Sequence, residues 1–200
     1  TKEQDFVEDL FVTTTHHYIL FFTNNGKVYW LKVYEIPEVD RYAKGKALVN
    51  LIKRGEGDRI SAARCVKEFD DKTFLVMATK GGIVKKTPLS EYSNPRPSGI
   101  IAIKLVKDDE LIGVKVTTGK QDIILATHLG KAIRFNESKM RVIGRSGIGV
   151  RGIKLDKKDY VVGMEAVIEK ETLLTVTEKG FGKRTDLNEY RSQSRGGKGI

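Results

Sequence analysis

Four short apolar runs punctuate the chain: Ile19-Leu20-Phe21-Phe22, Phe74-Leu75-Val76-Met77-Ala78, Ile123-Ile124-Leu125-Ala126 and Leu173-Leu174-Thr175-Val176. Each ends in the same turn signal, Thr23-Asn24-Asn25-Gly26, Thr79-Lys80-Gly81-Gly82, Thr127-His128-Leu129-Gly130 and Thr177-Glu178-Lys179-Gly180. Four or five consecutive apolar residues before a turn predict a strand covered on both faces. The closing glycine predicts a tight hairpin that needs positive φ. A fixed period of about fifty residues is the mark of a propeller or solenoid, in which one unit cannot bury its own apolar face and must stack on copies of itself.

The strand after each turn is Lys27-Val28-Tyr29-Trp30-Leu31-Lys32, Ile83-Val84-Lys85-Lys86-Thr87, Lys131-Ala132-Ile133-Arg134-Phe135 or Phe181-Gly182-Lys183-Arg184-Thr185. Lys86, Arg134 and Arg184 share the fourth position after the turn glycine, where the first copy carries Trp30. A polar loop follows, then a second glycine (Gly45, Gly99, Gly149, Gly199) at 19, 17, 19 and 19 residues from the first. That glycine predicts a third strand, such as Ala47–Leu51 or Ile101–Leu105. An acidic turn (Gly57-Asp58-Arg59-Ile60, Asp108-Asp109-Glu110-Leu111-Ile112, Asp159-Tyr160-Val161-Val162) then leads into a fourth. The expectation is an all-β, propeller-like repeat of about four strands per blade in one domain over 1–200, with units near 10–60, 61–112, 113–162 and an incomplete 163–200. No stretch shows a helical period with caps at both ends.

Charge changes the picture from fold to partner. The formal net charge is +10 with a pI near 9.6, which favours an anionic partner, nucleic acid first and a membrane surface second. Segments 18–52, 74–105, 122–155 and 172–200 carry +2, +4, +5 and +3, whereas the intervening pieces carry −3, +1, 0 and −2. Cations therefore recur in the same part of every unit. Regularly spaced Lys and Arg neutralise phosphates and release counterions, which is the chemistry of sequence-independent DNA binding. The candidate contacts are the hairpin cations Lys85, Lys86, Arg134, Lys183 and Arg184 and the loop cations Lys44, Lys46, Arg96, Arg145, Arg151, Arg195 and Lys198. Glycines in Arg195-Gly196-Gly197-Lys198 would let backbone approach phosphate closely.

Other chemistries find little footing. The single cysteine, Cys65, excludes an internal disulfide and suits a reducing cytoplasm as an ordinary core thiol. No apolar stretch has membrane-spanning length, and the opening Thr1-Lys2-Glu3-Gln4-Asp5 suggests a piece of a longer protein rather than a natural start. His16, His17 and His128 lack partner ligands, so no metal site is expected. Tyr29, Trp30 and Tyr34 are read as packing between blades. Gly147-Ile148-Gly149-Val150-Arg151-Gly152 fits a dinucleotide fingerprint but has no strand-to-helix context. No Walker sequence or nucleophile–base pair is present, so no catalytic residue and no cofactor are assigned.

Several runs carry a family resemblance: Asp5–Val12, Gly26–Pro37, Val84-Lys85-Lys86-Thr87-Pro88-Leu89-Ser90-Glu91, Gly149-Val150-Arg151-Gly152-Ile153 and Gly180-Phe181-Gly182-Lys183-Arg184-Thr185. Together they resemble the C-terminal domain of the bacterial DNA gyrase A protein over essentially the whole chain. The resemblance implies a β-pinwheel, a six-bladed disc whose blades exchange a strand with neighbours and whose basic rim bends and wraps double-stranded DNA, with roughly four blades in this chain. It implies further partners, the N-terminal region of gyrase A and the gyrase B protein, in an ATP- and Mg-dependent type II topoisomerase that supercoils DNA in the bacterial cytoplasm, at the nucleoid. The family's gyrase box, QRRGGKG, is matched by Gln193-Ser194-Arg195-Gly196-Gly197-Lys198-Gly199 with Ser194 in place of an arginine. In the family the box precedes the first module aligned here. The run is therefore either a box-like loop of a later blade or a box with a wrapping role of its own. Two other readings stay open: the corresponding domain of topoisomerase IV, and a propeller scaffold for an acidic protein.

Overall fold

A computed structural model describes residues 6, 7, 9–168 and 170–200. Asp5 and Glu8, within the first run of the resemblance, and the opening residues 1–4 lie outside the described residues. In the first copy β1 (Tyr18–Thr23) and β2 (Lys27–Lys32) form the hairpin, and β3 (Ile60–Val66) follows. The second copy has β4 (Phe74–Thr79), β5 (Ile83–Pro88), β6 (Ile100–Ile101) and β7 (Leu111–Thr117). The third repeats this with β8 (Asp122–Thr127), β9 (Ala132–Asn136), β10 (Val150–Arg151) and β11 (Val161–Val167), and the fourth has β12 (Thr172–Val176) and β13 (Gly182–Asp186). Among the described residues the helices are five single 3-10 turns.

All four turn glycines adopt the same left-handed conformation, Gly26 at φ 81°, Gly82 at 82°, Gly130 at 81° and Gly180 at 81°, which an L side chain adopts only with strain. Each acidic turn then braces a hairpin. Asp109 accepts from the Gly81 N–H at 2.7 Å and Asp159 from the Leu129 N–H at 3.0 Å, while Asp58 accepts from the Asn25 side-chain amide. The strand after the acidic turn pairs antiparallel with the first strand of its own hairpin, β3 on β1, β7 on β4 and β11 on β8.

The fourth edge of each sheet comes from the next copy. β6 pairs with β2 and β10 with β5, giving sheets ordered β3-β1-β2-β6 and β7-β4-β5-β10. On β9 the backbones of Ile200 and Ala132 exchange two hydrogen bonds at 2.8 Å. The third strand is shorter than the sequence suggests, since only Ile100–Ile101 pairs before the chain turns away. Ala47–Leu51, expected as a strand, instead forms an exposed 3-10 turn over Leu48–Asn50. Gly45 correspondingly has no close neighbour, unlike Gly149, whose hypothetical Cβ would lie 2.6 Å from the Val84 carbonyl oxygen.

The continuous apolar runs are explained by sheets stacked on both sides. Leu75 and Met77 of β4 pack with Leu20, Phe22 and Val28 of the first sheet, while Val76 and Ala78 pack with Ile123, Leu125 and Ile133 of the third. In β12 only Leu173 packs inward, against Ile124, and Leu174 and Val176 are 65% and 61% exposed.

Candidate nucleic-acid interface

The hairpin cations are where structure and sequence part. The fourth position after the turn glycine faces the next copy: Trp30 Nε1 donates to the Tyr92 carbonyl at 3.1 Å, and Lys86 Nζ lies 3.3 Å from the Glu137 carboxylate and 4.4 Å from the Phe74 ring centre. Arg134 donates to the Leu187 carbonyl at 2.7 Å and pairs with Asp122 at 2.7 Å. Each partner in the next copy lies in or at the end of the 3-10 turn after its hairpin, so this register is an inter-blade strut. Lys85, one residue earlier, is wholly buried, with Nζ donating to the carbonyls of Ala102 at 2.6 Å, Gly144 at 3.2 Å and Arg145. Burial first, then the Arg145 charge, push the Lys85 ammonium down to about 7 against the pull of Glu91. Lys85, Lys86 and Arg134 are thus corrected from phosphate contacts to internal struts, because a stacked neighbour covers their strand. Lys183 and Arg184 hold the same two registers in the fourth copy and are exposed there.

The loop cations behave differently. Lys44, Lys46, Arg96, Arg151 and Lys198 are exposed, and none belongs to the five ion pairs among the described residues. Arg145 and Arg195 are half-buried equivalents fifty residues apart. Each guanidinium donates to the outer strand of the preceding copy, Arg145 to the Ile101 carbonyl at 2.9 Å and Arg195 to that of Arg151. Successive loops are joined through backbone: Lys104 N–H donates to Gly147 at 3.1 Å and Lys154 N–H to Gly197 at 2.8 Å. Backbone hydrogen bonds thus join the second, third and fourth copies into one rim on which cations recur, while the first-copy loop of Lys44 and Lys46 is held only by bonds of its own among the described residues.

Four further exposed cations escape the sequence reading, Lys104 and Lys154, each five residues after a second glycine, and Arg141 and Arg191, each eleven after a turn glycine. Their identical offsets are a usable signal.

The Gln193–Gly199 run occupies the place over β9 that residues 143–149 occupy over β5. Ser192 bridges Arg134 in parallel as Val142 bridges Lys86, Gln193 N–H donates to the Arg134 carbonyl at 2.8 Å, and Gly196 N–H to that of Gly152 at 2.7 Å. Gly199, at φ 73°, passes so close to β9 that a Cβ would lie 2.5 Å from the Ala132 oxygen. Ser194 and Lys198 face outward.

The remaining candidates fall out of the interface. Trp30 packs edge-on against Tyr18 at 4.9 Å, and Tyr29 is buried, but Tyr34 is 59% exposed and packs between no blades. His128 stacks on Tyr160 at 4.7 Å, and His17 is bonded to Thr13 at 3.0 Å. Gly147–Gly152 runs into β10, not a helix. Burial raises the Cys65 thiol above its usual range. Among the described residues no three His, Cys, Asp or Glu side chains gather as a metal site, and no helix is long and apolar enough to cross a membrane.

Comparison with known proteins agrees with this geometry. A DNA gyrase A protein from Clostridium acetobutylicum is 59% identical over all 200 residues, which span 24% of that protein, and one from Haemophilus influenzae is 48% identical over 151 residues, covering 76% of this chain and 17% of its own length. The chain therefore spans about a quarter or less of these relatives. Among solved structures, the C-terminal domain of a DNA topoisomerase IV superposes with a TM-score of 0.86 at 30% identity, covering 93% of this chain and 58% of that one, and a DNA gyrase A C-terminal domain with 0.80 at 28%, covering 94% and 60%. The sequence model described as "DNA gyrase C-terminal domain, beta-propeller" matches four times, at 17–67, 73–118, 121–168 and 171–200. Each match covers one hairpin, and the first three also take in the strand that closes its sheet, so the chain belongs to the DNA gyrase C-terminal domain family and its strand-exchanged blades are those of a β-pinwheel.

Proposed function

We propose that this chain binds double-stranded DNA without regard to sequence, along the rim made by loops 94–99, 144–149 and 194–199 with the first-copy loop bearing Lys44 and Lys46, and bends the duplex around it. The observation that supports this is the recurrence of exposed cations that form no ion pair among the described residues, on loops backbone-linked from the second copy to the fourth, while the neighbouring acidic turns are occupied with hairpin amides. Phosphate neutralisation along a curved track imposes curvature on DNA. With about six phosphates contacted, log K against log salt should have a slope of about −5. Bending a 20–30 base-pair stretch costs about 1–6 kcal/mol, which contacts from several copies offset. As part of a DNA gyrase A protein, working with that protein's N-terminal region and with gyrase B, the rim would present the bent duplex for ATP- and Mg-dependent supercoiling. The fragment itself would supply no catalytic residue and bind no cofactor.

Sealing nicked circular DNA with ligase in the presence of the chain, over a salt series, tests both steps. Binding with the stated slope and a shift in linking number supports bending with a defined hand. Binding without a linking shift supports DNA binding alone, with residues 193–199 acting as a rim loop rather than a box. No binding refutes the proposal.

A further inference from the structure

The third position after the turn glycine carries Tyr29, Lys85, Ile133 and Lys183 in the four copies. Tyr29 and Ile133 are buried beneath the following copy's loop, so aromatic and aliphatic side chains both suit this register. Lys85 is equally buried, yet ends in an ammonium that meets three carbonyl oxygens. An ammonium has three N–H donors and no acceptor, so donors and acceptors match in number. Two of the carbonyls, Gly144 and Arg145, lie in the third-copy rim loop, and the third, Ala102, directly follows the second-copy outer strand.

We propose that Lys85 is a positioning residue: its buried Nζ ties the rim loop Gly144–Gly147 to the second-copy outer strand, and its charge state sets how well that loop's cations are presented to an anionic duplex. The inference rests on the DNA-binding reading above. Opening the loop would return Nζ to water, where its ordinary pKa is 10.5, whereas the closed loop brings it to about 7, so loss of the proton favours the closed loop, in which a neutral amine still donates to two of the carbonyls, and protonation favours opening. The groups facing Lys85 place this change near neutrality. Arg145, from the rim loop, opposes the charge, and Glu91, from the 3-10 turn after β5, favours it. Tyr92 of the same turn donates to the Ala102 carbonyl at 3.1 Å, and burial holds its phenol protonated far above the usual range. Desolvation is the dominant influence on Lys85 itself.

The test compares the 200-residue chain with Lys85→Ile, which copies the Ile133 register, and Lys85→Arg. Duplex affinity is measured over a salt series and from pH 6 to 9, and amide exchange is followed at residues 144–147. The expected result for Lys85→Ile is affinity roughly three- to tenfold weaker at pH 8, the scale of lost ordering hydrogen bonds, with an unchanged salt slope and faster exchange in the loop. The unsubstituted chain should gain affinity relative to Lys85→Ile as pH rises through about 7, where the closed loop sheds the Lys85 proton. Lys85→Arg, which keeps a charge throughout, should lack that gain. A slope that falls by about 0.9 on removing Lys85 marks a direct phosphate contact and overturns the proposal, as does unchanged exchange at 144–147. If the unsubstituted chain fails to bind DNA, the DNA-binding reading falls, while the exchange measurement still decides whether Lys85 positions the loop.

Discussion

Lys86→Met separates the two roles that sequence and structure assign to the hairpin cations. Glu137 is completely buried and accepts from Thr117 Oγ1 at 2.7 Å and the Gln121 N–H at 2.8 Å, with Lys86 Nζ at 3.3 Å supplying the neutralising charge. Removing one partner of a buried pair strands the other's charge, typically at about 3–5 kcal/mol. The two retained hydrogen bonds place Lys86→Met near the lower end, about 3 kcal/mol. For a chain of this size, about 2–4 °C of melting temperature per kcal/mol gives a drop of roughly 6–12 °C. Lys86→Met/Glu137→Gln, which removes both charges, should recover about half or more of the loss, as coupled neighbours do. Calorimetry or thermal circular dichroism reads the stability, and a salt series of DNA binding reads contact. The slope should stay unchanged, since Lys86 does not reach solvent. A melting temperature within about 2 °C of the parent together with a slope reduced by about 0.9 would refute the strut reading.

Gly26→Ala and Gly130→Ala both place a side chain at φ 81°, but only at Gly26 would the new Cβ meet the next copy, 2.5 Å from the Ile103 oxygen. Both should lose about 1–2 kcal/mol to left-handed strain, and Gly26→Ala about 1–3 kcal/mol more by unseating the exchanged strand, as urea titration would show. Arg134→Ala should cost about 1–3 kcal/mol, because Asp122 loses its cationic partner but keeps the Asn136 amide and the Leu187 carbonyl keeps the Tyr190 N–H, with no change in salt slope. Arg151→Ala and Lys198→Ala should each reduce the slope by about 0.9 while leaving the melting temperature unchanged. Because the Lys85 pKa falls from 10.5 to about 7 on folding, the folded chain binds fewer protons in that interval. Stability should therefore rise with pH between about 7 and 10, and Lys85→Ile should remove that rise in pH-dependent unfolding.

How far the sequence discloses this fold depends on whether a feature is local to one copy. Thr-x-x-Gly fixes each hairpin because the turn's backbone requirement is met by the residues that form it, and all four glycines adopt nearly the same φ. The apolar runs disclose burial on both faces for β1, β4 and β8 for the same reason. Strand exchange is different. Nothing within Ile100–Ile101 states that it will pair with β2 rather than with its own hairpin, and that pairing is implied only by the family resemblance. The same non-local step decides the cations. Lys86 and Lys198 are equally basic in sequence, but one lies on a strand that the next copy covers and the other on a loop that crosses the outside of the previous hairpin. Spacing alone predicts that cations recur; stacking decides which of them face a partner. The replacement of Lys86 by Trp30 in the first copy carries that information, because a tryptophan in an equivalent register marks a buried contact rather than an exposed phosphate site. By that criterion the fourth position after the turn glycine belongs to the stacked interior in the first three copies, where the next copy covers it, while Arg184 of the fourth copy is exposed as the loop cations are. The salt slope of the Lys86 and Lys198 variants measures this division directly.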